Sequence, residues 1–379
     1  MELEEVGQKI EASHGLVASF PRDVFGYFGW PTVTRFESGT LAVVASGMRS
    51  AHVCPFGRTV LCLSSDEGES WGSPRVITDT PMDDRDAGIV DLGGGRILVS
   101  WFSSDTRKSP HISDLEEGED PAVVSLVRSE LETINDGQAK RWSGFWIRTS
   151  DDSGETWNAP IRVGISSPHG PILLANGKLL FFGKGDPSDL FEEERRDCPI
   201  VATVSGDGGT TWEGLGSVPI IPETRMDNYY EPHVVELLDG RLLGMIRLQD
   251  RDDRLLEELG EVSFSMAQTL SVDGGHTWSL AEPLGFHGSP PHLLAHSSGA
   301  LVCTYGYRQE PYGERAMISL DGGASWRFHY ILRDDGPDPD LGYPSSIELS
   351  DGSIYTVYYQ KIEDPDEKCS LLWSRWKLP

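Results

Sequence analysis

The octet SSDEGESW at residues 64–71 returns four more times, as SDDSGETW (150–157), SGDGGTTW (205–212), SVDGGHTW (271–278) and SLDGGASW (319–326). All five follow Ser-x-Asp-x-Gly-x-Ser/Thr-Trp. The pattern reads as a folded turn: Asp accepts backbone N–H groups, Gly supplies the permissive φ, and Trp packs back onto the blade. A single copy means little, but five copies at wide intervals are the signature of a repeat architecture.

Between the octets a second pattern recurs six times, an extended run, a turn closed by glycine, then a β-rich run. Its copies are PTVTRFESGTLAVVAS, AGIVDLGGGRILVSWF, HGPILLANGKLLFFG, EPHVVELLDGRLLGMIR, PPHLLAHSSGALVCTYG and YPSSIELSDGSIYTVYY. The turn glycines (Gly39, Gly95, Gly177, Gly240, Gly299, Gly352) are 56, 82, 63, 59 and 53 residues apart, close to one sixth of the 379-residue chain. That period fits a four-stranded blade, so the expectation is an all-β, six-bladed β-propeller of antiparallel blades, one domain spanning residues 1–379. The chain ends before a sixth octet. The stretch around Leu16–Phe20 is therefore expected to supply the missing outer strand and close the ring. Residues 104–142 exceed the repeat and include an acidic run and PAVVSLVRSELETIND, an amphipathic helix candidate. They read as surface decoration or as a lid or wall over the active face. Residues 186–198 and 249–262 are shorter charged excesses with helical character.

Composition narrows the function classes. With 32 Lys+Arg against 60 Asp+Glu the formal charge is −28, which repels phosphate backbones and anionic membranes. Neither a nucleic-acid nor a membrane partner is expected, and no run reaches the roughly 18 apolar residues of a membrane span. MELEEVGQKI lacks a basic segment followed by an apolar one, so the expectation is no signal peptide and a cytoplasmic location. Five scattered cysteines without a CxxC pair suggest free thiols rather than a disulfide framework or a zinc site.

Because a propeller aligns its innermost strands around one axis, equivalent positions converge. Nine residues before each turn glycine stand Trp30, Asp86, Pro168, Glu231, Pro290 and Tyr343. Eight before stand Pro31, Ala87, His169, Pro232, Pro291 and Pro344; seven before stand Thr32, Gly88, Gly170, His233, His292 and Ser345. Just past the second strands come Arg49, Lys184, Arg247, Arg308 and Tyr359. Both sets should face one mouth, forming a pocket of acids, a phenol and imidazoles rimmed by cations, suited to an anionic small ligand. His169, His233 and His292 come from three consecutive blades, the neighbourhood of a three-His metal site. They are read instead as partners of substrate hydroxyls or as braces, with no metal and no cofactor.

The octets resemble the Asp-boxes of the sialidase (neuraminidase) superfamily, whose members are six-bladed propellers. YEPHVVELLDGRLLGMIR resembles the family's Glu-hairpin-Arg pattern and places it on Glu231 and Arg247. GYPSSIELSDG resembles its late tyrosine segment and places it on Tyr343. A further carboxylate-binding arginine falls at Arg308 or Arg315, and spacing does not choose between them. Arg49 and Asp86 resemble a first-blade arginine and the aspartate opening the second blade. The resemblance implies a Tyr343 nucleophile with Glu231 as its base. A free phenol is only about 0.1 % ionised at neutral pH and needs such a partner. A tyrosine nucleophile is a known exception among retaining glycosidases.

Two elements of the family pattern are missing. Gly29, Trp30 and Pro31 occupy the first-blade Arg-Ile-Pro motif, and SAHVCPFG beyond Arg49 holds no acid/base aspartate, leaving His52 as the nearby proton-transfer group. The leading expectation is an exo-glycosidase acting on a carboxylate-bearing sugar other than standard sialic acid, with His52 or Asp86 as acid/base. Two alternatives are a polysaccharide lyase acting on a uronate-containing glycan and a non-catalytic sugar-binding propeller with Trp30 as stacking platform.

Overall fold

A computed structural model describes residues 1–112, 120–185, 200–250 and 254–379. Six antiparallel sheets follow one another along the chain. Blade 1 comprises Tyr27–Arg35, Leu41–Arg49, Arg58–Ser64 and Arg75–Thr78; blade 2 comprises Asp83–Gly93, Arg96–Ser104, Gly144–Ser150 and Ile161–Val163. In blade 3 the inner strand is split into Ile165–Ser166 and Ile172–Leu173, both paired with Leu179–Gly185, and Ile200–Ser205 and Glu213–Ser217 follow. Blade 4 comprises Tyr229–Glu236, Leu242–Leu248, Ser265–Ser271 and Glu282–Pro283, and blade 5 Pro291–Ala295, Leu301–Tyr307, Gly313–Ser319 and Ser325–Arg333. Blade 6 takes Gly342–Glu348, Ile354–Gln360 and Ser370–Trp376 from the C-terminus and Ala12–Ala18 from the N-terminus, in register from Ala12–Trp376 to Ala18–Leu371. The chain is thus the expected six-bladed propeller, and its N-terminal strand closes the ring. A further strand, Glu2–Glu5, runs parallel to the outer edge of blade 5.

Each octet follows the third strand of its blade. Its Ser Oγ accepts the Gly N–H at 2.9 Å in all five copies. Its Asp Oδ1 accepts the Ser/Thr N–H at 2.8–2.9 Å. The tryptophan does more than pack back onto its own blade, because it reaches the preceding one. Trp71 of blade 1 meets Tyr355 of blade 6, Trp278 of blade 4 meets Phe182 of blade 3, and Trp326 of blade 5 donates to Gln268 of blade 4 at 2.7 Å. The box glycine lies on the same seam. At Gly154, with φ +87°, a Cβ would stand 2.8 Å from Leu61 of blade 1, so glycine is required there for both conformation and space.

Apolar packing is organised between blades rather than around one centre. Leu41, Val43, Tyr355 and Trp373 join blades 1 and 6; Leu61, Ile89 and Val99 join 1 and 2; Ile147, Phe181 and Val201 join 2 and 3. Comparable clusters join the remaining three seams. The alternation that made the hairpins legible is the alternation of these two-sided blades.

Among the described residues, the insertion in blade 2 contains the helices Pro121–Thr133 and Asp136–Trp142. Asp120 caps the first, accepting the Ala122 N–H, and proline opens it. Its apolar stripe (Val123, Val124, Val127) buries against Cys54 and Phe56 of the loop after Arg49. The first helix is therefore packed against the loop that carries His52. Most of the acidic run 114–120 and all of 186–198 lie outside the described residues. In 249–262 the described helix is the single turn Leu255–Glu258. The four described cysteines are free and buried, and no described helix is long and apolar enough to cross a membrane.

Candidate active site

The inner strands carry a shared irregularity. In blades 1, 2, 4 and 6 the ladder to the second strand slips at Gly29/Thr32, Arg85/Gly88, Tyr230/His233 and Gly342/Ser345. At each slip one non-glycine residue adopts positive φ: Trp30 at 55°, Asp86 at 51°, Glu231 at 44° and Tyr343 at 52°. Such a backbone costs about 1–3 kcal/mol per residue and persists where surrounding structure imposes it. Here it is a bulge that re-aims one side chain per blade. The equivalent positions of blades 3 and 5 are Pro168 and Pro290, whose ring forbids positive φ. Four side chains, from four blades, are therefore turned into one mouth.

At its centre the Tyr343 hydroxyl donates to Glu231 Oε1 at 2.6 Å. Arg247 donates to Glu231 Oε2 at 2.5 Å, to the Tyr343 oxygen at 3.2 Å and to Gln249 at 2.6 Å. Burial raises the Glu231 carboxyl, but the Arg247 charge and the Tyr343 hydrogen bond outweigh it and hold the group below its ordinary range, so it is ionised. Burial and the Glu231 charge push the Tyr343 phenol well above its ordinary value. The pair is thus a neutral phenol already hydrogen-bonded to a carboxylate that can take its proton. Asp86 is pushed up to about 7, first by burial and further by the Glu231 charge, with Arg85 opposing. Its Oδ1 is buried without a hydrogen-bond partner.

His52 stands at the rim with 47 % of its side chain exposed. Its Nδ1 lies 2.9 Å from Asp340 Oδ1 and 2.9 Å from the Tyr27 hydroxyl. Burial would raise the Asp340 carboxyl, but hydrogen bonds from His52, Tyr27 and Tyr359 pull it well below its ordinary range. With Asp340 ionised, Nδ1 is the donor and Nε2 is left for proton exchange, the logic of an oriented imidazole.

The predicted cations separate. Arg308 lies over the Tyr343 ring at 5.7 Å and donates to the Pro339 and Leu341 carbonyls. Arg315 is not brought to this cluster: it stacks on Tyr307 and donates to the carbonyls of Pro311 and Arg333. Arg49 is fully buried, both Nη atoms on Asp83 at 2.6 and 2.9 Å, and acts as a brace rather than a ligand contact. Lys184 donates to the Tyr229 carbonyl. Trp30 is only 1 % exposed, with the guanidinium groups of Arg85 at 4.2 Å and Arg49 at 4.9 Å over its ring and the His52 ring edge-on. It is a support for side chains, and no face is left as a platform for a sugar.

The three histidines converge, with ring centroids 4.1–5.5 Å apart, and all are buried. His233 Nδ1 accepts the Leu293 N–H of the next blade at 3.0 Å, and His292 Nδ1 accepts the Ser346 N–H of the next at 3.2 Å. Ser345, in the same column, accepts the Val33 N–H of blade 1 at 3.2 Å. In this column, blades 4, 5 and 6 each use one side chain to satisfy a backbone N–H of the following blade. His169 shares a 3.1 Å hydrogen bond with Thr32. Burial holds all three imidazoles below their ordinary range, His233 at about 3. No group of three or more metal-ligating side chains among the described residues is arranged to hold an ion. Bracing accounts for His233 and His292, while the His169 Nε2 is buried without a partner.

Sequence reasoning missed Asp340; Arg85, flanked by Asp83, Asp84 and Asp86, reads from the sequence as a salt-bridged loop element that could reach the pocket. Asp340 lies in GPDPDLG, where nothing marks one acid among several. Arg85 did carry a signal. Ten residues before the turn glycines stand Gly29, Arg85, Ser167, Tyr230, Ser289 and Gly342, and the arginine is the one cation.

The fold and mouth define an Asp-box propeller with an ionisable cluster at one end of its axis. A family model described as a BNR repeat-like domain matches residues 131–356, and the chain belongs to that family. A comparison with curated proteins finds no match. Among solved structures it is similar to a protein of unknown function from Dyadobacter fermentans (20 % identity, 98 % of this chain and 100 % of that one, TM-score 0.73). It is also similar to Trypanosoma rangeli sialidase (16 %, 96 % and 59 %, TM-score 0.61) and to Penicillium chrysogenum alpha-L-arabinanase complexed with arabinobiose (15 %, 96 % and 98 %, TM-score 0.62). At these identities the likeness is one of fold.

Proposed function

We propose that the chain is a retaining exo-glycosidase acting on a carboxylate-bearing sugar. The observation that carries the reading is the 2.6 Å hydrogen bond from Tyr343 to an ionised Glu231, itself held by Arg247. Tyr343 Oη attacks the anomeric carbon while its proton passes to Glu231. The glycosidic bond breaks, and the leaving oxygen takes a proton from the acid/base group. A phenol bears no charge to repel an anionic sugar as it approaches. Water then attacks the glycosyl-tyrosine, giving its proton to the acid/base group, and Glu231 returns the first proton to Tyr343. His52, oriented by Asp340 at the solvent side where a leaving group departs, fits the acid/base role. Asp86, deeper and short of a partner, fits a contact to a sugar hydroxyl and remains the second candidate for proton transfer.

Product analysis on a panel of sialosides and uronosides tests this. Release of a saturated reducing sugar, abolished in Tyr343→Phe and lowered about 10²- to 10⁴-fold in Glu231→Gln, supports it. A 235 nm rise from an unsaturated uronate would instead establish the lyase, and sugar binding without turnover a binding module. His52→Ala should lose turnover of alkyl glycosides while keeping that of p-nitrophenyl glycosides, whose leaving group needs no acid. Equal losses on both would remove His52 from the acid/base role.

A further inference from the structure

Each basic side chain that approaches the mouth can be followed to its partners. Arg49 is saturated by Asp83, Ser46 and backbone carbonyls. Arg247 is divided among Glu231, Tyr343 and Gln249. Arg308 has Nε and Nη2 on carbonyls. Arg85 differs from all three. It makes no hydrogen bond among the described residues; its Nε is buried without a partner, as is that of Arg247, whose two Nη atoms are nevertheless engaged. Its one ion contact, Asp83 Oδ2 at 3.8 Å, is to a carboxylate that Arg49 already holds through both oxygens. The side chain is 14 % exposed and so is largely removed from water. What fixes it is apolar: its guanidinium lies over Trp30 at 4.2 Å, with the Phe102 ring at 6.0 Å.

A desolvated guanidinium whose one ion contact is long and shared, and whose N–H donors make no hydrogen bond, is costly unless something supplies the missing partner. Stacking on an indole holds the planar fork in place without using its N–H donors, which a lysine in the same position could not do. The backbone slip at Arg85/Gly88 is what turns this residue and Asp86 toward the mouth together. Trp30 is the platform, next to Gly29, which stands where the family resemblance implies an arginine.

We propose that Arg85, held on Trp30, is the anion-recognition residue of this mouth, taking the substrate's carboxylate through its free N–H fork. The second blade then provides the specificity that the first blade lacks. The identity of the ligand as a sugar rests on the glycosidase reading; the preference for an anion does not.

Calorimetric titration of the Tyr343→Phe protein, in which no turnover interferes, separates the two. The probes are N-acetylneuraminate and D-glucuronate, each against its neutral methyl ester. At least one acid should bind more tightly than its ester. That preference should fall about 10- to 100-fold in Arg85→Gln, the range for a hydrogen-bonded charge contact. Arg85→Lys should keep a part of it, and unchanged circular dichroism should accompany both. An acid preference that survives Arg85→Gln in full, or its absence in the parent protein, overturns the assignment. Wild-type activity in Tyr343→Phe would sink the nucleophile reading while leaving the Arg85 result standing.

Discussion

Asp86 and Glu231 occupy the same column of the repeat, adopt the same left-handed backbone and lie near enough to influence each other's charge, yet their environments pull them apart. Glu231 has Arg247 against one oxygen and a phenol against the other. Asp86 has burial and an unpartnered Oδ1, with the charges of Arg85 and, more weakly, Arg49 to favour its anion. Divergent carboxyls in one site commonly mark divided roles. The difference has a measurable consequence in stability. An unfolded aspartate loses its proton near about 3.9, whereas folded Asp86 keeps it to about 7. Between those values the folded state holds a proton that the unfolded chain lacks. Asp86 therefore contributes stability that is fully present at the acid end, declines as pH rises through the window and is gone above about 7. The full swing is on the order of 4 kcal/mol. Glu231, held low, acts in the opposite sense: its contribution is lost as pH falls through its folded value. Urea unfolding of Asp86→Asn between pH 4.5 and 8 should show a shallower decline with pH than the wild type. Identical slopes would mean that Asp86 is ionised throughout and is no proton reservoir.

The inner strand is the element that makes the site, and two of its columns have separate duties. The bulged column turns Trp30, Asp86, Glu231 and Tyr343 into the mouth. Two residues further on, His233, His292 and Ser345 accept backbone N–H groups of the next blade, where inner strands are too splayed to pair. Replacing His233 by Leu should orphan the Leu293 N–H and lower stability by about 1–3 kcal/mol, with substrate KM unchanged. A large rise in KM at unaltered stability would make the imidazole a ligand instead of a brace. This division also shows what could be read from the sequence. Turn glycines fix the phase of every blade, so counting from them found Tyr343, Glu231, Arg247 and Asp86 without coordinates. The same counting could not say which side chain is spent on a neighbour. Arg49 goes to Asp83 in the next blade, the faces of Trp30 are covered by Arg49 and Arg85, and the His52 partner is Asp340, at the far end of the chain. In a propeller those partners come from adjoining blades, many residues away, and local spacing carries no record of them.

At the scale of the whole molecule, six inter-blade seams are in series and the ring is only as closed as its composite sixth blade. Strand Ala12–Ala18 completes that blade on Ser370–Trp376, and Glu2–Glu5 extends the hold to blade 5. The closure is wired to the first Asp-box. Gly15 sits under the Trp373 indole, Trp373 stacks on Tyr355 with centroids 5.1 Å apart, and the Tyr355 hydroxyl donates to the Gly68 carbonyl at 2.9 Å. A Cβ at Gly15 would enter the Trp373 ring, so any side chain there must displace the indole from Tyr355. Gly15→Val is therefore expected to lower unfolding free energy by about 1–3 kcal/mol, the cost of overpacking a filled site. The urea midpoint should shift with it. Space restored from the other side should relieve the clash, so Gly15→Val combined with Trp373→Leu should destabilise by less than the sum of the two single changes. Strict additivity in this cycle would show that the N-terminal strand is held by its ladder alone and that the seam does not depend on the fit of glycine to indole.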